Sequence, residues 1–414
     1  MTTNFFLRSG AMSAEHLSWI EECLKFFFLQ LYPETLGHRA GADTPLFTFL
    51  LTGDALYSLE DPETIENWSV ILSFSAVRMI CDREELDLRG IAIDRMKMKY
   101  PDQVVDTNAI SKDNRPSFWA DVIALVRANR PSYPDSLGWL QITSPYMHRS
   151  ALYGIRCLSA GLETYLSPEL YAYLDGIHMG HAGQAPTEAE NIGLELESLN
   201  DRAERQGLSC QYIACNRCAT ARGYSRWDDH QDADILTNTI KPFRLKDMDV
   251  MTERFMHPHI ILADNAASVQ FPKRGTSATF DRAEKSSTSP PVTILVTSRP
   301  YTTETAYGAI AFAVASAYRG ILTRVVFIED GIYCVSGTCK PPSTEIFSIP
   351  DIINAVAGSE NLHFFALMAS FQKRGVAKNK DLNAVLDIGF PGLGKILFYP
   401  PGNVNADHQR VLIF

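Results

Sequence analysis

Leu140-Gln141-Ile142-Thr143-Ser144-Pro145-Tyr146, soon followed by Tyr153-Gly154, and Ile294-Leu295-Val296-Thr297-Ser298-Arg299-Pro300-Tyr301, soon followed by Tyr307-Gly308, are one pattern written twice. Each reads as a buried strand, a proline-containing turn and the start of a helix. Beyond each helix a second apolar run closes on an Asp-Gly pair: Leu174-Asp175-Gly176-Ile177-His178 and Glu329-Asp330-Gly331-Ile332-Tyr333. A third copy of that ending is Gly53-Asp54-Ala55-Leu56-Tyr57. Farther on, an Arg-Gly pair closes a short helix three times, at Arg89-Gly90, Arg222-Gly223 and Arg374-Gly375. Landmarks that return in the same order mark a repeated supersecondary unit.

Working outward, apolar runs separated by amphipathic stretches such as Asn191 to Gln206 predict right-handed βαβ crossovers and a mainly parallel sheet covered by helices. The expected fold is therefore α/β, built as three tandem units at about 1–125, 134–272 and 291–414, the first being the most divergent. The stretches Arg127 to Ser136 and Lys273 to Pro291, rich in Pro, Ser, Thr and charge, read as linkers.

The bulk composition bounds the function. A chain of 414 residues with 46% apolar and 21% charged residues buries large cores. A net charge of −10 with no basic run argues against nucleic acid as the principal ligand, because phosphate binding draws on clustered Lys and Arg. The most apolar windows, Cys23 to Tyr32 and Ala309 to Tyr318, fall short of the ~18–20 residues that cross a bilayer. The apolar Phe5-Phe6-Leu7 is shorter than the ~7–15-residue core of a secretion signal. Eight scattered cysteines then read as reduced thiols of a cytoplasmic protein.

Among those cysteines, Gln211-Tyr212-Ile213-Ala214 reads as a strand that stops at Cys215-Asn216-Arg217-Cys218 and passes into a helix. A thiol at that junction meets a helix N-terminus with Arg217 and Arg222 nearby, surroundings that lower a cysteine pKa. Cys215 is expected to be an accessible thiolate at neutral pH. Cys218, one turn on, is placed to stabilise it or to close a disulfide with it. Two buried inert thiols are the plain alternative. A zinc site from Cys210, Cys215 and Cys218 with His178 or His181 is a third, weakened because no second Cys-x-x-Cys occurs.

Counting eight residues back from the Arg-Gly glycines gives Cys215, Leu367 and Asp82, with Cys81 one residue early. The third unit thus carries leucine where the second carries its thiol. Cys334 and Cys339 are expected in loop or core roles, and Cys23 and Cys157 in the core. Gly389-Phe390-Pro391-Gly392-Leu393-Gly394-Lys395 has phosphate-loop spacing but continues with Ile396, lacks the magnesium-binding hydroxyl and reads as a turn. Asp228-Asp229-His230 with Asp232 reads as a solvated loop.

Taken together, these landmarks resemble the DsrE/DsrF/DsrH family, to which the TusB, TusC and TusD subunits belong. Cys215-Asn216-Arg217-Cys218-Ala219-Thr220-Ala221-Arg222-Gly223 is similar to the Cys-x-x-Cys-x-x-x-Arg-Gly form of many DsrE-like proteins. The third unit resembles the DsrF/TusC type through Asp330-Gly331 and Val411-Leu412-Ile413-Phe414, and the first a diverged DsrH/TusB subunit. The resemblance implies an α/β sandwich per unit and a sulfur relay, with Cys215 accepting a sulfane sulfur as a persulfide and passing it to a TusA-like carrier. It implies no metal or organic cofactor, and a homodimeric assembly. The rival functions are a dithiol redox protein using Cys215 and Cys218, and a non-catalytic assembly module.

Overall fold

The computed structural model describes residues 4–39, 45–107, 117–128, 136–257, 260–263, 265–270, 289–401 and 408–414. Most of the two linker stretches lies outside them.

The N-terminal stretch contributes strands β1 (Asn4–Arg8), β2 (Phe47–Leu51), β3 (Val77–Asp82) and β4 (Val104–Thr107). The middle stretch contributes β5 (Ser136–Gln141), β6 (Ser167–Ala172), β7 (Gln211–Cys215), the hairpin β8 (Ser225–Asp228) and β9 (Ala233–Leu236), β10 (Phe243–Lys246) and β11 (Ile260–Ala263). Strand β12 (Asn265–Gln270) follows, and then β13 (Val292–Val296), β14 (Thr323–Phe327), β15 (Leu362–Leu367), β16 (Val385–Ile388) and β17 (His408–Ile413).

Two large, mainly parallel sheets result. The middle stretch forms a five-stranded parallel sheet in the order β10-β7-β6-β5-β11. The outer stretches share a ten-stranded sheet, β16-β15-β14-β13-β17-β12-β1-β2-β3-β4. In each stretch the chain steps from its first strand outward to its fourth; in the middle and C-terminal stretches a fifth strand returns to flank the first in parallel. Beside β1 that slot is taken by β12, antiparallel to both β1 and β17, which joins the two outer stretches edge to edge. The α/β architecture with parallel strands is as the alternation of apolar runs predicted.

The strands are apolar on both faces, so their two-residue period feeds two different cores. On β1, Phe5 and Leu7 enter a core shared with the middle stretch, whereas Phe6 enters one shared with the C-terminal stretch. On β7, Tyr212 and Ala214 face the first of these cores, while Ile213 and Cys215 face a third, which contains Ile294, Phe312 and Val325 of the C-terminal stretch. Each core is thus shared by two stretches, and helices seal the junctions: Ser117–Ala128 packs on Ser150–Glu163, Met248–Met256 on Thr305–Tyr318, and Ala14–Lys25 on Phe390–Phe398.

Two local readings find their physical basis here. The helix Ile192–Arg205 is capped by Asn191, whose side chain accepts from the Leu194 N–H. The glycine of each full Asp-Gly pair lies where a Cβ would meet the neighbouring strand, at 2.1 Å from the Gln141 carbonyl for Gly176 and 1.8 Å from that of Val296 for Gly331. One expectation is corrected: Gly389 to Lys395 is not a turn. Gly389 caps the helix Phe390–Phe398, which forms because Leu393, Leu397 and Phe398 bury one face.

Candidate functional site

In the middle sheet, Cys215 ends β7 and is the N-cap of the short helix Asn216–Ala221, so the predicted strand-to-helix junction is present. It lies at the C-terminal edge of a parallel sheet, where α/β folds place their sites because backbone N–H groups of the following helix converge there. Gly223, at φ +75°, ends the turn after that helix in a left-handed conformation that suits glycine.

Around the thiol, the Cys218 side chain hydrogen-bonds to the Cys215 sulfur, the backbone N–H groups of Cys218 and Arg217 point to it, and the Arg217 charge is near. Together they outweigh burial and lower the Cys215 pKa to about 7, so about half of the thiol is ionised at neutral pH. Cys218 moves the opposite way: its bond to Cys215 and its burial hold it protonated. Its sulfur also accepts from the Leu174 N–H at 3.2 Å. Leu174 adopts φ +50°, a left-handed conformation costing a branched side chain roughly 1–2 kcal/mol. That strained turn aims the N–H at Cys218.

The other six cysteines, Cys23, Cys81, Cys157, Cys210, Cys334 and Cys339, all have pKa values raised by burial, that of Cys210 to about 12. Cys23, Cys81, Cys157 and Cys334 are buried core thiols. Among the described residues no group of three or more His, Cys, Asp and Glu side chains is placed to hold a metal ion. Of the residues considered for zinc, His178 is engaged elsewhere, its Nδ1 2.9 Å from the Tyr224 hydroxyl. Asp228 binds its own turn, accepting from the backbone N–H groups of His230 and Gln231.

Cys215 was expected to be accessible, and it is not: its exposure is 0%. The strand's alternation turns it toward the core that the middle stretch shares with the C-terminal stretch, together with Tyr173, Leu174 and Phe312. The Tyr173 hydroxyl donates to the Gly308 carbonyl at 2.8 Å, stitching the two stretches together beside the thiols.

Both predicted arginines are engaged by residues that the sequence did not single out as site residues. Arg222 lies 2.7 Å from Asp175 and 2.8 Å from Glu304, the residue that opens the helix Thr305–Tyr318. Its charge acts on Cys218. Arg217 stands 4.6 Å from the centroid of the Tyr307 ring and donates to its hydroxyl at 3.4 Å; Tyr307 stacks on Phe347. Tyr307 was legible in the sequence as a landmark, yet nothing in its spacing announced a role 90 residues from Arg217. Two open clefts flank this pair. One of about 430 Å³ is lined by Asn216, Arg217, Thr220, Asp247 and Met248. The other, about 470 Å³, is mostly apolar and runs from Met248 along Tyr307, Val314, Tyr318 and Phe347.

The equivalent positions elsewhere have different chemistry. Leu367 caps the helix Met368–Arg374 as Cys215 caps its own, and Ser370, in the place of Cys218, accepts from the Glu329 N–H at 2.9 Å. Leu367 floors a cleft of about 390 Å³ with Trp19, Ala369 and Phe390. At the third such position, Asp82 caps Arg83–Arg89 and accepts from the Thr52 hydroxyl at 2.9 Å.

No helix among the described residues is long and apolar enough to cross a membrane. No curated protein matches the sequence. The ychN protein from E. coli is a structural neighbour over 30% of this chain and 99% of its own, at 15% sequence identity and a TM-score of 0.25. In sequence, residues 291–397 match the DsrE/DsrF-like family.

Proposed function

We propose that this protein is a sulfurtransferase or sulfur carrier that accepts sulfane sulfur on Cys215. The observation that carries this reading is the thiol pair at the end of β7, in which Cys218, two backbone N–H groups and Arg217 bring Cys215 to a pKa of about 7. The DsrE/DsrF-like match at residues 291–397 supports a sulfur relay in general. The finer reading is of three DsrE-like units, at about 1–125, 134–272 and 291–414, with only the middle one equipped for chemistry.

In the proposed step the Cys215 thiolate attacks the outer sulfur of a donor persulfide, R–S–SH. A Cys215–sulfur bond forms, the donor's S–S bond breaks, and the donor leaves as R–S⁻, so no net oxidant is consumed. The resulting Cys215 persulfide is attacked in turn by the thiolate of an acceptor, for which a TusA-like carrier is proposed, and Cys215 is restored. Cys218 holds the departing thiolate by hydrogen bonding, as it holds the resting one. Because Cys215 is buried, the donor reaches it after a local opening at the junction with the C-terminal stretch, where the two clefts meet at Met248.

The test is intact mass after incubation with a persulfide donor. An adduct of about 32 Da, one sulfur atom, is expected on the wild type and not on Cys215→Ser. An adduct retained by that variant refutes the assignment. A dithiol redox role is the second reading, favoured by the Cys215–Cys218 hydrogen bond that brings both sulfurs together; it predicts loss of two hydrogens with an oxidant and no sulfur adduct. A cytoplasmic homodimer is proposed for the assembly, and light scattering tests it.

A further inference from the structure

The site around Cys215 is completed by the stretch that has no thiol at its own equivalent position. Helix Asn216–Ala221 presents Arg217, an exposed residue, at its first turn, and the guanidinium is held by Tyr307 of the C-terminal stretch, ring face at 4.6 Å and hydroxyl at 3.4 Å. Tyr307 is fixed in turn by stacking on Phe347, with ring centroids 6.3 Å apart and planes 16° from parallel. An exposed arginine without such a hold samples solvent and loses most of its effect on a neighbouring charge.

We propose that Tyr307 is a positioning residue for the thiolate chemistry of Cys215: by a cation–π contact it pins the Arg217 guanidinium near the thiol, so that the C-terminal stretch sets the reactivity of the middle one. This rests on the reading of Cys215 as a working nucleophile. The charged and titratable groups around Cys215 come from several elements. On its helix and the turn that ends it are Cys218, Arg217 and Arg222; on the neighbouring strand β10 Lys246, an exposed residue, pairs in register with Cys215; after β6 come Tyr173 and Asp175; from the C-terminal stretch come Glu304 and Tyr307; and Asp234 and Asp247 accept from Asn216. Arg222 is already neutralised by Asp175 and Glu304. Asp234 and Asp247 are each hydrogen-bonded by the Asn216 amide. Arg217 is the cation whose charge acts directly on Cys215.

The experiment is the pH profile of Cys215 alkylation in the full-length protein, read by peptide mass, for wild type, Tyr307→Leu and Tyr307→Phe. Tyr307→Leu removes the ring face and is expected to raise the midpoint by about 0.5–1 pH units, slowing alkylation at pH 7 about two- to fivefold, without lowering the rate reached at high pH. Tyr307→Phe keeps the face and is expected to hold the midpoint within about 0.2 units of wild type. An unchanged or lowered midpoint in Tyr307→Leu overturns the proposal, and so does an equal rise in both variants. The readout needs no persulfide. A wild type that shows the low midpoint but takes up no sulfur would sink the relay and leave the positioning role standing.

Discussion

Arg222 and Asp175, 47 residues apart in the chain, meet at 2.7 Å. The Arg-Gly and Asp-Gly marks that recur in the sequence are therefore the two halves of one ion pair, and it is made three times: Arg89 with Asp54 at 3.1 Å, and Arg374 with Asp330 at 2.7 Å. The arginines of the later two reach onward to the next stretch, Arg222 to Glu304 and Arg374 to Glu15 at the start of the first helix. At the remaining junction the acid is Glu85, which takes the Tyr153 hydroxyl at 2.6 Å and lies near Arg149 and Arg156 of the middle stretch. Each arginine marks a seam between stretches.

These seams differ in burial, and so in cost. Glu85 is fully buried among the partly exposed Arg89, Arg149 and Arg156, so Glu85→Ala takes the shared acid from three partly buried cations and is expected to destabilise by about 2–4 kcal/mol. Glu304 is 55% exposed, and Glu304→Ala is expected to cost no more than about 1 kcal/mol. Denaturant unfolding of the two variants checks this; equal losses would contradict the link between the burial of a seam and its cost.

Cys218 is the largest influence on Cys215, so Cys218→Ala is expected to move the alkylation midpoint of Cys215 from about 7 toward the ordinary ~8.5. Cys218→Ser, which retains a donor, should move it less. In the wild type at pH 7 Cys215 should be labelled before the other seven thiols, through a fast opening equilibrium that scales its rate down without shifting its pH midpoint. Uniform labelling of all eight would refute this.

Restoring sulfur to the C-terminal stretch is not expected to restore chemistry. Leu367→Cys places a thiol at 2% exposure where Ala369 stands in the position of Arg217 and Ser370 in that of Cys218. Desolvation then raises the new pKa to about 9 or above, and no persulfide forms at pH 7. Adding Ala369→Arg and Ser370→Cys supplies both missing groups and should lower it. Mass spectrometry of the single and triple variants decides; sulfur loading of the single variant would count against the account of Cys215.

Asp82 offers a pH test. Burial raises its pKa from 3.8 to about 6 against the help of Thr52. The folded state then holds a proton that the unfolded state has lost between about pH 4 and 6, so stability from this group falls as pH rises through that window and stays low above it. Asp82→Asn should remove that fall and stabilise the protein at pH 7 by roughly 1–3 kcal/mol. Melting curves at pH 4.5 and 7 for both proteins measure it; a variant less stable than wild type at pH 7 would overturn it.

The sequence by itself determined what is local. Apolar runs of strand length, the amphipathic stretch from Asn191 to Gln206, the Asp-Gly and Arg-Gly marks and the junction at Cys215 were legible because each is dictated within a few residues by burial, hydrogen bonding or steric fit. So was the register that puts leucine at position 367 and aspartate at 82. Tertiary structure decided which faces meet. Only the packed chain shows β12 entering the sheet of the outer stretches, Cys215 turned inward to 0% exposure, and Tyr307 holding Arg217 from 90 residues away. Such contacts depend on the docking of whole surfaces, which any sequence window of helix or strand length leaves open. The same docking, by excluding water from the thiols, decides how strongly Cys218 and Arg217 act on Cys215.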